Sequence, residues 1–185
     1  ILNPRTYGAP RGTTSLEGFL FPATYELRQG ASAKTLVRDQ LRAFKTNIRT
    51  VDFRNARRKN LTRFDVLIIA SIIEREALLP RDRARVAAVF YNRLKQGISL
   101  GSDATTRFAV NNWTRPLTVT ELRSPSPYNT RRFSGLPPGP IRSPGVAAAK
   151  AAANPAKTAD LFFIVKACGK GALSFSRTDA EFQKD

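Results

Sequence analysis

Two carboxylates carry the most suggestive chemistry in this sequence: Glu74 and Glu76, in the stretch ASIIEREA at residues 70–77, close a nearly unbroken apolar run, LIIASII. Burial among apolar side chains raises a carboxyl pKa, and the negative C-terminal end of a helix dipole pushes the same way. That combination suits a general acid working near neutral pH. At about 100° per residue, Glu74 shares its helix face with Leu67, Ala70, Ser71, Ala77 and Leu78, while Glu76 lies among Asp65, Ile69, Ile72 and Ile73. The small neighbours Ala70, Ser71 and Ala77 leave a ligand room to approach Glu74. Arg75 and Arg81 oppose the effect by favouring the charged form. On spacing alone, two glutamates paired with arginines at a helix end stays an open alternative.

Composition narrows the chemistry further. The chain has no histidine and a single cysteine, Cys168. Ser-His and Cys-His nucleophiles, the usual zinc sites and an internal disulfide are therefore excluded, and neither a metal nor a cofactor is expected. Carboxylates lead as catalytic groups. Lys plus Arg number 31 against 14 acids, a net charge of +17, which favours an anionic partner such as nucleic acid, an acidic membrane surface or an anionic cell-envelope polymer. The densest basic stretch, RTVDFRNARRKNLTR (49–63), reads as a solvated linker or as the contact for such a partner.

Pattern also sets the scaffold around these groups. With 185 residues and 42% hydrophobic content, one sizeable core is expected. No stretch reaches the roughly 18 to 20 apolar residues of a membrane span, and the N-terminus, ILNPRTYGAP, lacks a start Met and a signal-peptide pattern. The chain reads as a soluble piece, open to having been cut from something longer. Residues 16–27, LEGFLFPATYEL, suit an extended or strand-like lead-in. Ser32 caps a helix with Leu36, Val37, Leu41, Phe44 and Ile48 on one face. Thr62 caps the central helix, with Asp65 at its third position and a Leu61–Val66 staple, and Pro80 stops it after Leu79. A further helix runs from about Arg81 to Gly97 with Val86, Val89, Phe90 and Leu94 on one face.

From Ile98 to Pro144 the chain is rich in Pro, Gly, Ser, Asn and Thr, with short helical possibilities around 104–109 and 118–122. A long irregular stretch in a compact domain is often a binding surface or lid. Residues 145–153 form a small-residue helix, and 161–167 and 172–176 read as a hairpin about the turn CGKG, which lacks the residues of a phosphate loop. The expected fold class is α+β. It is a single domain with a central buried helix, amphipathic helices, a small antiparallel sheet and a long irregular groove-forming loop.

The stretches LEGFLFPATYEL, ASIIEREA, VAAVFYNRLKQGISLGSDATT, SPYNT, GLPPGPIRSPG, ANPAKTADLFFIV and FSRT occur in the order that the endolytic murein transglycosylases have them. The chain resembles the catalytic domain of this YceG-like family from about residue 16 to 182. The resemblance implies cleavage of the β-1,4 bond after N-acetylmuramic acid in peptidoglycan, leaving a 1,6-anhydro end. It makes Glu74 the catalytic acid, needing no cofactor. It assigns Glu17, Asn92, Ser102, Asp103, Tyr128 and Asn129 to the sugar groove, with GLPPGPIRSPG as a stiff wall. For each of these a purely structural role is open: turn chemistry for Asp103 and Asn129, a loop contact for Asn92, packing for Tyr128, a buried pairing for Glu17.

It implies a catalytic domain spanning 1–185 without the N-terminal membrane helix and LysM-like subdomain of full-length members. The partners it implies are peptidoglycan glycan strands and the cell-wall synthesis machinery, with no nucleic acid. The location is the extracytoplasmic face of the bacterial cytoplasmic membrane. The chain departs from the family pattern at Gly101 and Ala104, where Gln and Pro are usual, and at Leu173 and Phe182, where histidines are common. Two other readings compete: a non-catalytic peptidoglycan-binding domain, and a basic nucleic-acid-binding module with steep salt dependence.

Overall fold

Ser32 Oγ accepts the Thr35 N–H and starts α1 (Ala33–Ile48), which turns Leu41 and Phe44 into the core. The basic stretch after it is not a free linker. Val51, Phe53 and Ala56 are buried and pin a short helix, α2 (Arg54–Arg58), so that Arg54, Arg57, Arg58 and Lys59 are displayed outward. Thr62 and Asp65 then exchange hydrogen bonds: the Thr62 hydroxyl accepts the Asp65 N–H, and the Asp65 carboxylate accepts the Thr62 N–H. This capping box starts α3 (Arg63–Glu76). All of Val66 to Ile73 is buried, as an all-round apolar pattern requires.

Pro80 redirects the chain after α3. Ala77 is already extended, so α3 ends at Glu76 rather than at Leu79, and a 3-10 turn over Pro80–Asp82 delays α4 (Arg83–Lys95) past its expected start. The order continues with α5 (Asp103–Val110), α6 (Val119–Leu122) and α7 (Val146–Ala153). An antiparallel hairpin comes next, β1 (Phe162–Val165) with β2 (Leu173–Ser176), in the register Phe163 opposite Phe175. Thr178 caps a last turn that the sequence did not announce, α8 (Asp179–Phe182). The computed structural model describes residues 2–167 and 170–184, so Cys168 and Gly169 of the expected CGKG turn lie outside it.

The fold is α+β, as expected, and α3 is its axis. It packs against α7, α4 and α5, and α7 comes close because it offers only alanines there: Ala148, Ala149, Ala152 and Ala153 are all buried. Residues 16–27 form no strand. A turn carries Phe19 into the core instead, 5.2 Å edge-on from Phe44 and 6.2 Å stacked on Phe64. Gly18 permits this at φ +89°, where a Cβ would lie 2.5 Å from Pro140. No helix among the described residues is long and apolar enough to cross a membrane.

Candidate active site

The C-terminal turn of α3 is wrapped by one segment of chain. Glu74, Arg75 and Glu76 point in three directions about 100° apart, and each meets a different part of residues 98–145. The Ser102 hydroxyl, near the start of the segment, donates to Glu76 Oε1 at 2.5 Å. The Arg75 guanidinium lies 4.5 Å from the ring centre of Trp113, in its middle. The Gly145 N–H, at its end, donates to Glu74 Oε2 at 3.1 Å. The irregular segment is thus a strap, and the two glutamates face opposite sides of it.

On the Glu74 side the strap runs along α3. Ile141 N–H donates to Ser71 Oγ at 3.0 Å, one turn before Glu74, and the Leu20 N–H donates to Ser143 Oγ at 3.1 Å, tying down the other edge. Glu74 keeps 21% of its side-chain surface open. Its Oε1 faces Arg83 Nη2 at 3.7 Å, and the Arg83 Nε is buried with no hydrogen-bond partner among the described residues. Arg83 therefore holds a spare donor beside a reachable carboxylate. Sequence reasoning named Arg75 and Arg81 as the neighbouring cations. The turn at Pro80 leaves Arg81 exposed and aims Arg83 inward, a rotation that no periodicity announces.

On the other side Glu76 lies at the edge of a cavity of about 520 Å³, between the 99–103 loop, the hairpin and α8. Burial raises its pKa most; the Ser102 hydrogen bond opposes that, the Asp103 charge adds to it, and the net shift is upward. Asp103 meets Arg131 at 2.6 Å on the rim; Phe162 and Phe182, also in the lining, stack on each other at 5.3 Å, and the Arg93 guanidinium lies 5.1 Å from the Phe162 ring centre. Of the two acids, Glu76 has the environment that burial arguments demand and the shorter hydrogen bond, while Glu74 is held by the Gly145 N–H and faces Arg83.

The remaining expected site residues separate. Ser102 and Asp103 belong to the Glu76 side, where Ser102 is buried and spent on Glu76. Glu17 and Tyr128 share a separate cavity of about 400 Å³ with Pro138 to Pro140, and burial, then the Glu17 charge, raises the Tyr128 pKa. Tyr128 also packs on Phe108, 4.8 Å between ring centres. Asn129 is fully buried: its amide donates to Leu122 and Ser124 carbonyls, and its oxygen accepts from Thr106 and the Arg131 N–H. Asn92 Nδ2 donates to the carbonyls of Thr158 and Asp160, both at 2.9 Å. These two asparagines hold loops together with their amide donors. Among the described residues no three Asp, Glu, His or Cys side chains are grouped to hold a metal.

A helical axis with an acid pair, strapped by a proline-rich segment and closed by a small hairpin, places the chain in a defined class. It belongs to the YceG-like family, whose sequence pattern matches residues 4–185. It is 36% identical over 171 residues to the endolytic murein transglycosylase of Bacillus subtilis, covering 91% of this chain and 46% of that protein. To the endolytic murein transglycosylase of Streptococcus pneumoniae R6 it is 34% identical over 154 residues, covering 80% of this chain and 28% of that one. The crystal structure of a YceG-like protein from Listeria monocytogenes matches with a TM-score of 0.85 at 33% identity, over 99% of this chain and 59% of that one. The chain thus spans less than half of the curated relatives it matches.

Proposed function

We propose that this chain is the catalytic domain of an endolytic lytic transglycosylase that cuts the β-1,4 bond after N-acetylmuramic acid and leaves a 1,6-anhydro end. The observation that carries this reading is the setting of Glu74: a tethered carboxyl group, still open to solvent, on the face of α3 that the proline-rich strap shapes. Two relatives at 34–36% identity named endolytic murein transglycosylases support the substrate class.

In the proposed reaction Glu74 gives its proton to the glycosidic oxygen as the C1–O4 bond breaks. The C6 hydroxyl of the same sugar then attacks C1, and the Glu74 carboxylate takes the hydroxyl proton, so the carboxyl group is regenerated. No water is consumed. An intramolecular nucleophile replaces the second carboxylate of ordinary glycoside hydrolysis. The Gly145 N–H fixes one carboxyl oxygen while the other, 3.7 Å from Arg83 Nη2, stays available to the substrate. Peptidoglycan glycan strands are the proposed partner, outside the cytoplasmic membrane and alongside cell-wall synthesis.

One observation favours a second reading. Glu76 is the acid whose pKa burial raises, and it faces a cavity large enough for sugars, so it is the rival proton donor. Digesting purified peptidoglycan with Glu74→Gln and Glu76→Gln variants and weighing the products by mass spectrometry separates the two. The first reading expects 1,6-anhydro products to vanish only with Glu74→Gln.

A further inference from the structure

The end of α3 remote from both glutamates opens on another cavity, of about 640 Å³, which the proposed reaction does not use. The turn between α2 and α3 builds it. Asn60, at φ +59°, takes the left-handed conformation that ends a helix, and the Leu61 N–H returns to the Ala56 carbonyl at 3.1 Å. Phe53 and Ala56 are buried, so this turn sets Lys59 and Leu61 beside the last turn of α4, where Leu94 and Lys95 stand. Leu136, next to the buried Pro137 of the strap, completes the wall. Tyr91 supplies a ring face: its hydroxyl is spent on the Ala152 carbonyl at 2.7 Å, and Lys59 Nζ lies 5.4 Å from the ring centre. Among the described residues neither Lys59 nor Lys95 has an ion-pair partner. The Asp65 carboxylate, also in the lining, is engaged by the Thr62 N–H and hydroxyl at 2.8 and 2.7 Å. Two unpaired ammonium groups thus stand over three leucines, in a volume ordinary for a ligand pocket.

We propose that this cavity takes the free carboxylate end of a short peptide, here the stem peptide that a peptidoglycan strand carries on its muramic acid residues. Lys59 and Lys95 hold the terminal carboxylate, the leucines and the Tyr91 ring cover the last side chains, and the exposed Asn60 amide pairs with a peptide group. A phosphodiester would set charged oxygens against the leucines, whereas a peptide end supplies a carboxylate and apolar groups together. The distance also fits. Asp65 lies nine residues before Glu74 and eleven before Glu76 on one helix, about 14 to 17 Å at the helical rise. An extended peptide of about four or five residues spans the same length. A strand at the C-terminal end of α3 can therefore lay its peptide along the helix, with the carboxylate at the far end. The stem peptide rests on the peptidoglycan reading above; the peptide-carboxylate class rests on the cavity itself.

The test titrates an N-acetylated pentapeptide ending in D-alanyl-D-alanine into the whole chain, as the free acid and as the C-terminal amide, with backbone amide shifts as the readout. The free acid should move Asn60, Leu61, Leu94 and Leu136, and the amide should bind at least about tenfold more weakly. Lys59→Gln and Lys95→Gln should each weaken the free acid about three- to tenfold. Arg57→Gln, an equal loss of charge on the same helix but outside the lining, should leave it unchanged. In cleavage assays, strands that keep their peptides should show a lower KM than strands stripped of them, and the double variant Lys59→Gln/Lys95→Gln should abolish that difference. Affinity unchanged by amidation or by the two lysine substitutions, affinity lost equally in Arg57→Gln, or inorganic phosphate matching the peptide in affinity would overturn the site. Peptide binding with the expected properties in a chain that never cuts glycan would instead refute the lyase reading and leave the site standing. Equal KM on both kinds of strand, with no shifts from the free peptide, would remove the site and leave the lyase reading intact.

Discussion

The Ser102 hydroxyl donates to Glu76 at 2.5 Å, and the Gly145 N–H, from the far end of the same strap, donates to Glu74 at 3.1 Å on the other side of α3. One segment therefore sets the position of both acids, and it does so with different kinds of donor. The hydroxyl contact lies over a buried carboxyl group, while the backbone contact leaves Glu74 partly open. The settings of the two glutamates differ through this wrapping: Glu74 keeps 21% of its side-chain surface open beside Arg83, and Glu76 borders the cavity of about 520 Å³ and carries a raised pKa.

The raised pKa of Glu76 fixes a pH dependence. An acid that binds its proton more tightly in the folded chain than in the unfolded one stabilises the fold below the unfolded pKa, near 4.5. That stability is lost as pH rises through the folded pKa, above which the cost of a buried charge is complete. Glu76→Gln removes the charge. Its melting temperature relative to wild type should therefore climb between pH 4.5 and 8, and a difference that is flat with pH would contradict the assignment.

Gly18 couples the N-terminal segment to the strap. Gly18→Ala combines an unfavourable positive φ with a Cβ at 2.5 Å from Pro140, so either the turn or the strap must move. We expect a loss of about 2–4 kcal/mol in denaturant unfolding. Activity should fall more than stability explains when assayed well below the melting temperature, because Ile141 and Gly145 belong to the displaced segment. Gly12→Ala is the control: it shares a positive φ, but its Cβ meets nothing within 4 Å.

Asn129 and Asn92 give a sharp contrast with a sugar-contact role. Asn129→Ala orphans the Leu122 and Ser124 carbonyls and the Thr106 hydroxyl, and should cost about 2–3 kcal/mol of stability. Asn92→Ala frees two carbonyls at a half-buried position and should cost about 1–2 kcal/mol. Both variants should keep KM near wild type under conditions where they are folded. A large KM change at full fold stability would assign them to substrate instead.

Much of the scaffold was legible in the chain because its signals are local. The Thr62–Asp65 capping box, the apolar run of α3, the alanines of α7 and the hairpin strands each depend on neighbours within a few residues. The site was less legible, because it depends on which way a helix end faces. Glu74 and Glu76 could be set on different faces, but their partners lie at Ser102, Arg83 and Gly145, at distances in sequence that only tertiary wrapping brings together. The hydrogen bond from Ser102 to Glu76 spans 26 residues and has no local signal. The 3-10 turn at Pro80 exchanged Arg81 for Arg83 as the inward cation. Residues 16–27, expected to be extended or strand-like, pair with no strand for the same reason: Phe19 is held by Phe44 and Phe64, and no ladder partner exists for them among the described residues.

The net charge has a measurable consequence of its own. The cations of α2, exposed on a chain of net charge +17, should strengthen attachment to anionic cell-wall material. Between about 0.1 M and 1 M salt the screening length shrinks from about 10 Å to about 3 Å, so sacculus binding in a pull-down should fall steeply. Replacing Arg57, Arg58 and Lys59 together with Gln should flatten that dependence without altering the melting temperature by more than a few degrees. Binding that is equal at both salt concentrations would remove the role given to this surface.

The proposed mechanism stands or falls with Glu74 as the acid and then the base of glycan cleavage. Glu74→Gln keeps the size of the side chain and an oxygen for the Gly145 N–H, so folding should survive. The transferable proton is gone, so release of 1,6-anhydro-muropeptides from purified peptidoglycan should drop by at least about 10²- to 10⁴-fold. Glu76→Gln, on the opposite face of the same turn, should stay within about tenfold of wild type. Product masses measured for both variants at matched fractions folded decide the matter: anhydro ends lost with Glu74→Gln and kept with Glu76→Gln is the predicted result. Near wild-type turnover from Glu74→Gln, or reducing-end sugars in place of anhydro ends from the unmodified chain, would contradict it.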